Sequence, residues 1–145
     1  MKRIRYPITI KIVETKMYKS VATNLMVRSV DKSISFYKDV LGFSEVAVVP
    51  GDNGQPIFAI LVKDGLTLMM QDKDSLTDEY SILGTDKIKP SITIYYTVDD
   101  LDSLYNDIKS KHPVYKDPYV TSYGAREFAI LDPDGYPLTF AEHQD

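Results

Sequence analysis

The spacing of hydrophobic and polar positions alternates between strand-like and helix-like segments, and the same order of segments occurs twice along the chain. Two apolar stripes at helical spacing stand about seventy positions apart. The first stripe contains Val30, Ile34, Tyr37 and Leu41, and the second contains Leu101, Leu104, Tyr105 and Ile108. A short strand-like run precedes each stripe, at residues 24–27 and 92–98, and further strand-like segments follow it. The order strand–helix–strand–strand–strand therefore occurs twice, which predicts an internal duplication.

Local signals mark the ends of the two predicted helices. Ser29 and Asp100 are predicted N-caps, because short side chains with an oxygen accept hydrogen bonds from the free N–H groups of a first turn. Gly42 and Pro113 are predicted to end the helices. The two helices are thus expected at equivalent places in the two halves.

The run from Tyr123 to Glu142 predicts a β-hairpin. Its turn is Asp132-Pro133-Asp134-Gly135, in which proline presets one backbone angle and glycine accepts a positive φ. Apolar residues alternate on both sides of this turn, as they do in half-buried strands. These residues are Phe128, Ile130, Leu138 and Phe140.

The closing hairpin, together with Phe36-Tyr37 followed by Leu41-Gly42-Phe43, resembles the glyoxalase, bleomycin-resistance and extradiol-dioxygenase superfamily, the vicinal oxygen chelate proteins. The resemblance is closest to the metal-free bleomycin-resistance-like branch. It implies an α+β fold in which two tandem βαβββ modules form a half-open, eight-stranded mixed sheet around a cleft. The expected single domain spans residues 21–145, with module one at about 21–72 and module two at about 91–143. Residues 1–20 lie outside the resemblance and are expected to add an edge strand.

The resemblance also assigns positions for metal ligands. Family members with metal chemistry offer one ligand from each of four strands, and the equivalent positions here are Ala22, Met69, Thr93 and Thr139. A shift by two residues, which stays on the same strand face, gives Asn24, Gln71, Tyr95 and Ala141. Neither set suits a divalent first-row ion, which prefers imidazole and carboxylate. We therefore expect no metal and no cofactor.

The remaining ionisable candidates have ordinary explanations. His112 is interpreted as a surface residue at the negative end of the second helix, and His143 as an exposed residue near the C-terminus. Arg126 and Glu127 are interpreted as a surface charge pair. The alternative for this pair is that one side chain reaches a ligand at the rim of the cleft.

Composition excludes several classes of protein. The absence of Cys excludes a disulfide framework, a thiolate zinc site and a cysteine nucleophile. Apolar runs stay well below the roughly 18 residues of a membrane span, and the alternating N-terminus lacks the apolar segment of a secretory signal. The net charge of −4 leaves an acidic body beyond the basic first twenty residues. We expect a cytoplasmic protein that binds neither nucleic acid nor membranes.

The aromatic composition is unusual, since the chain has eleven Tyr and no Trp. The leading hypothesis is a metal-free homodimer that binds a small organic molecule, such as an antibiotic, in its cleft. The candidate lining residues are Asn24, Met69, Thr93, Tyr95, Tyr123 and Thr139. The alternative is a metal-dependent lyase, isomerase or dioxygenase with an unusual ligand set, for which Glu142, His143 or Glu127 would have to turn into the cleft. The ligand positions favour the binding protein over the enzyme.

Overall fold

The computed structural model describes residues 17–144, which form eight strands, three α-helices and a short 3-10 helix. Module one contains β1 Thr23–Val27, α1 Val30–Asp39, β2 Ser44–Pro50, β3 Pro56–Lys63 and β4 Leu66–Asp72. The connector contains α2 Lys73–Glu79 and the 3-10 helix Ser81–Leu83. Module two contains β5 Ile94–Thr97, α3 Leu101–Lys109, β6 Lys116–Val120, β7 Ala125–Leu131 and β8 Pro137–His143. The edge strand expected within residues 1–20 falls mostly on residues 1–16, outside the described part, and residues 17–20 form no strand.

Strand order repeats between the modules and confirms the predicted α+β fold. One four-stranded sheet has the order β1-β4-β3-β2, and the other has the order β5-β8-β7-β6. In each sheet the first strand pairs in parallel with the last, and the remaining pairs are antiparallel. No helix in the described part of the chain is long and apolar enough to cross a membrane.

The helices begin where the capping residues predict. The Ser29 side chain accepts a hydrogen bond from the backbone N–H of Lys32, and Asp100 accepts one from Ser103. Gly42 has a φ of +77°, the left-handed conformation that reverses the chain after α1. The second helix ends at Lys109, four residues earlier than Pro113. The backbone N–H groups of Ser110 and His112 donate to carbonyls in the last turn of this helix. The helix is therefore closed before the chain reaches the proline.

Both modules contribute to one hydrophobic core. Strand alternation sends Phe128 and Phe140 to the helix side of their sheet, where their rings stack with centroids 5.1 Å apart. Tyr96 stacks on the other side of Phe140 at 5.1 Å. Tyr95 therefore points to the opposite face, as the alternation of adjacent strand residues predicts. Helix α3 packs on the face that carries Phe128 and Phe140, and the opposite face of this sheet carries the candidate site.

The closing turn ties module two to module one. Asp134 accepts hydrogen bonds from the backbone N–H and the Nε of Arg28, both at 3.0 Å. Asp132 accepts one from the Tyr37 hydroxyl at 2.8 Å, and Tyr136 donates to the carbonyl of Met26. Both carboxylates are buried, so these bonds satisfy groups that water does not reach.

His112 belongs to the same junction, and its interpretation as a surface residue is wrong. Its Nε2 lies 3.0 Å from the carbonyl oxygen of Leu131, and its ring meets the edge of Phe36 with centroids 5.0 Å apart. The side chain is half-buried. The residues just beyond α3 pack against β7 and α1, so His112 becomes part of that contact. The position of His112 after a helix does not by itself reveal this packing.

Candidate functional site

A buried carboxylate lies at the centre of the open face of module two. Strand β7 alternates, so Phe128 and Ile130 enter the core while Glu127 points to the other side of the sheet. Glu127 is nevertheless only 4% exposed. A buried charge is costly unless hydrogen bonds replace its water, so the partners of this carboxylate define the site.

Three tyrosine hydroxyls provide those hydrogen bonds. Tyr95 from β5 donates to Glu127 Oε2 at 2.8 Å, and Tyr119 from β6 donates to Oε1 at 3.1 Å. Tyr123, from the loop between β6 and β7, donates to Oε2 as well. We call Glu127 and these three tyrosines the Glu127 cluster. It draws on two strands and one loop that flank β7.

Hydrogen bonding fixes the protonation of the cluster. Burial by itself raises the pKa of Glu127, but the bonds from Tyr123, Tyr95 and Tyr119 outweigh it and hold that pKa below its usual value. Desolvation, followed by the bond to Glu127, raises the pKa of Tyr95. The bond to Glu127 likewise raises the pKa of Tyr123. At neutral pH the cluster is therefore one carboxylate anion held by neutral phenols.

The rest of this face is small and polar. Thr139 pairs with both Tyr95 and Ala129 across the sheet, and Ala141 pairs with Glu127. His143 ends β8 on the same face, with its Nε2 3.2 Å from the Tyr95 hydroxyl oxygen. Because Tyr95 gives its one proton to Glu127, this contact requires His143 to donate. His143 is exposed, as predicted, but it lies in an ordered strand and takes part in the site.

The predicted charge pair between Arg126 and Glu127 does not form. Successive strand residues point to opposite faces, so Arg126 turns away from Glu127 and its guanidinium meets Asp102 at 3.0 Å. Glu142 also turns away, because its carboxylate accepts from the backbone N–H of Leu101 at the start of α3. Of the three residues that the enzyme hypothesis requires, Glu127 and His143 reach the open face and Glu142 does not.

Five of the six predicted lining residues separate into two groups. Tyr95, Tyr123 and Thr139 share the open face of module two. Asn24 and Met69 pair on neighbouring strands of module one, where the Asn24 amide donates to Gln71 at 2.9 Å. Among residues 17–144, no side-chain hydrogen bond joins the first group to the second.

Thr93 belongs to neither group, since it is exposed just before β5 begins at Ile94. The predicted lining residues omit Tyr119 and Glu127, and the prediction does not give Glu127 its central role. The alternation of Ala125, Glu127 and Ala129 against Phe128 and Ile130 is the signal that places Glu127 on the open face.

Metal-ligating groups are scarce in this part of the chain. Across the described residues, no three side chains of His, Cys, Asp or Glu lie close enough together to hold a metal ion. Both oxygens of Glu127 are already occupied by phenol donors. The chemistry of the open face is thus that of aromatic rings, hydroxyls and one anion.

Comparison with known proteins places the chain in a family. The model of the Glyoxalase/Bleomycin resistance protein/Dioxygenase superfamily matches residues 19–140. The chain belongs to this superfamily. No curated protein is similar enough in sequence to count as a relative.

Several solved structures share the fold. A glyoxalase/bleomycin resistance protein/dioxygenase from Nocardioides has a TM-score of 0.75 at 16% identity, covering 92% of this chain and 88% of its own. A superfamily member from Sphaerobacter thermophilus has a TM-score of 0.70 at 22% identity, covering 88% of this chain and 100% of its own. TioX from Micromonospora sp. ML1 has a TM-score of 0.67 at 15% identity, with coverage of 88% and 100%.

Proposed function

We propose that this superfamily member is a metal-free binding protein that holds a small organic molecule on the open face of module two, as a homodimer. One observation carries the proposal: three partly exposed tyrosines from separate elements converge on a buried carboxylate. Membership of the superfamily does not decide between binding and catalysis, because one fold supports many activities. The side chains at the site must decide it.

The residues at the expected ligand positions support binding without a metal. Ala22 and Met69 in module one, and Thr93 and Thr139 in module two, offer hydrocarbon, thioether and hydroxyl groups. Such groups pack against an organic molecule but hold first-row divalent ions weakly. The exposed rings of Tyr95 and Tyr123 add flat surfaces on which an aromatic molecule can stack.

The structure has room for a ligand beside Tyr95. A pocket of about 430 Å³ adjoins this ring and extends between β5 and the start of β4, where Leu66 and Thr67 line it. This volume falls within the range of small-molecule sites. A ligand in this pocket would contact Tyr95 and reach the edge of the Glu127 cluster.

Blocking the face with a large side chain tests the proposal. We expect aromatic small molecules to raise the Tm of chelator-treated protein, because a ligand that binds only the folded state stabilises it. The variant Thr139→Trp should lose this response, since its indole fills the space beside Tyr95. Lys87→Trp, on the exposed connector, is the control and should keep it. An unchanged response in Thr139→Trp would show that the ligand binds elsewhere.

The edge strand β2 supports the homodimer. Within residues 17–144 this strand forms one edge of its sheet and exposes Val46, Val48 and Val49. Unprotected apolar edge strands pair readily with another chain. The edge strand of module two, β6, contains Lys116 and Pro118, residues that hinder pairing with another chain.

A lysine on the β2 edge should therefore prevent dimer formation. We expect sedimentation equilibrium to show a dimer for the natural sequence and a monomer for Val48→Lys. Val120→Lys, on exposed β6, is the matched control and should remain dimeric. A monomeric natural protein, or a dimer that Val48→Lys leaves intact, would contradict this part of the proposal.

A further inference from the structure

We infer that the Glu127 cluster recognises a protonated amine, so that the ligand is an organic cation. The inference rests on the proposed function and specifies the chemical class of its ligand. It depends on three features of the cluster: a negative charge without a salt-bridge partner, the direction of its hydroxyl protons, and an ammonium group already placed on one of its rings.

The charge of Glu127 makes no salt bridge within the described residues. Every salt bridge there involves another carboxylate, and none involves Glu127. The three phenols satisfy its hydrogen bonds but do not neutralise it. His143 contacts the hydroxyl of Tyr95 and makes no hydrogen bond to the Glu127 carboxylate itself. A buried anion of this kind favours a cation at the adjoining surface.

The hydroxyl protons of the cluster all point inward. Tyr95, Tyr119 and Tyr123 each donate their single proton to Glu127, so toward solvent each phenolic oxygen can only accept. The three side chains are 45%, 37% and 63% exposed, so a ligand can reach them. A protonated amine has donors and no acceptor, which complements this rim. A ligand carboxylate would meet the negative charge of Glu127 and, on these three phenols, no free hydroxyl proton.

The tyrosine rings also accept an ammonium group. The Nζ of Lys116 lies 4.3 Å from the centroid of the Tyr119 ring, within the range of a cation–π contact. This contact comes from the chain itself and occupies one ring. No other lysine or arginine of the described residues lies over Tyr95 or Tyr123, so those rings remain open to a cation from a ligand.

Three probes of similar shape and different charge test the inference. Isothermal titration calorimetry would compare 2-phenylethylamine, which is protonated at neutral pH, with neutral 2-phenylethanol and anionic 3-phenylpropanoate. We expect the amine to bind about tenfold more tightly than the alcohol, since a charge-assisted hydrogen bond contributes enough for that ratio. The carboxylate should bind most weakly.

Variants of the cluster locate the preference. Glu127→Gln removes the charge and should abolish the roughly tenfold preference for the amine, while the affinity for the alcohol stays unchanged. Tyr123→Phe removes one exposed acceptor and should weaken the binding of the amine a few-fold. If Glu127→Gln does not fold, Tyr123→Phe provides the test. Asp86→Asn removes a charge from the connector, and Tyr115→Phe removes an exposed hydroxyl outside the cluster. Both controls should bind the amine as the natural protein does.

The possible outcomes separate this inference from the proposed function. Equal affinity for amine and alcohol would overturn the inference and leave the proposed function standing. A preference for the amine that survives in Glu127→Gln would also overturn it, because the charge would then lie elsewhere. Failure of all three probes to bind would overturn it as well, and the Thr139→Trp experiment would then decide the proposed function separately.

Discussion

Replacing Asp132 by Ala is expected to lower the free energy of unfolding by about 3 kcal/mol, because buried donors would lose their acceptor. The Asp132 carboxylate accepts from the Tyr37 hydroxyl and from the backbone N–H groups of Asp134 and Tyr136, at 2.8, 2.9 and 3.0 Å. All three bonds lie at the junction between the modules. Chemical denaturation of natural protein and variant measures the difference.

Asp132→Asn provides the control for that prediction. Asparagine keeps the oxygen that accepts both backbone N–H groups and places an amide opposite Tyr37, whose hydroxyl can then accept. We expect a loss of about 1 kcal/mol or less. Equal losses in the two variants would show that the carboxylate is not held by these donors.

The difference in stability between the natural protein and Asp132→Asn is expected to depend on pH. Burial raises the pKa of Asp132, against the opposing effect of its three donors. The native state then binds this proton more tightly than the unfolded state does, so the contribution of Asp132 to stability is greatest at low pH and falls as pH rises through the native pKa. The stability of the natural protein relative to Asp132→Asn should therefore decrease from acid to neutral pH. A difference that stays constant or increases would contradict the raised pKa.

The second large effect concerns the core under the site. Phe128 is fully buried between Phe140, which stacks on it, and Tyr105, whose ring meets it edge-on at 5.2 Å. We expect Phe128→Ala to lower the free energy of unfolding by about 4 kcal/mol, because it removes a large buried side chain and leaves a cavity. Denaturant or thermal unfolding measures this loss.

Two further variants calibrate the effect of Phe128. Phe128→Leu fills part of the cavity and should cost about 1–2 kcal/mol. Tyr115→Ala removes an exposed aromatic ring of the same module and should change stability by about 0.5 kcal/mol or less. A loss of less than about 1 kcal/mol in Phe128→Ala would show that the ring is loosely packed.

The sequence predicts the fold well because its main signals are local. Ser29 and Asp100 cap helices through bonds to residues three positions away, and the turn at Asp132–Gly135 depends on proline and glycine within four residues. The repeated order of elements then specifies the two modules. The parallel pairing of the first and last strands of each module is not predicted from the sequence, since no local pattern encodes it.

The site is harder to predict because its contacts are not local. Glu127 appears in the sequence as a strand residue beside Arg126, which is typical of a surface ion pair. Its burial depends on Tyr95, which is 32 residues away, and on the pairing of β6 with β7, which brings Tyr119 opposite it. The placement of Asn24 and Met69 in one sheet and Tyr95 in the other likewise depends on how the two sheets form, and strand alternation alone does not give it.

The central claim is that the Glu127 cluster binds its ligand without a metal. Titration calorimetry of 2-phenylethylamine into chelator-treated protein, repeated after addition of nickel or zinc, tests it most directly. The account predicts binding in the absence of metal and the same Kd after either ion is added. Binding that appears only when the divalent ion is present would contradict it.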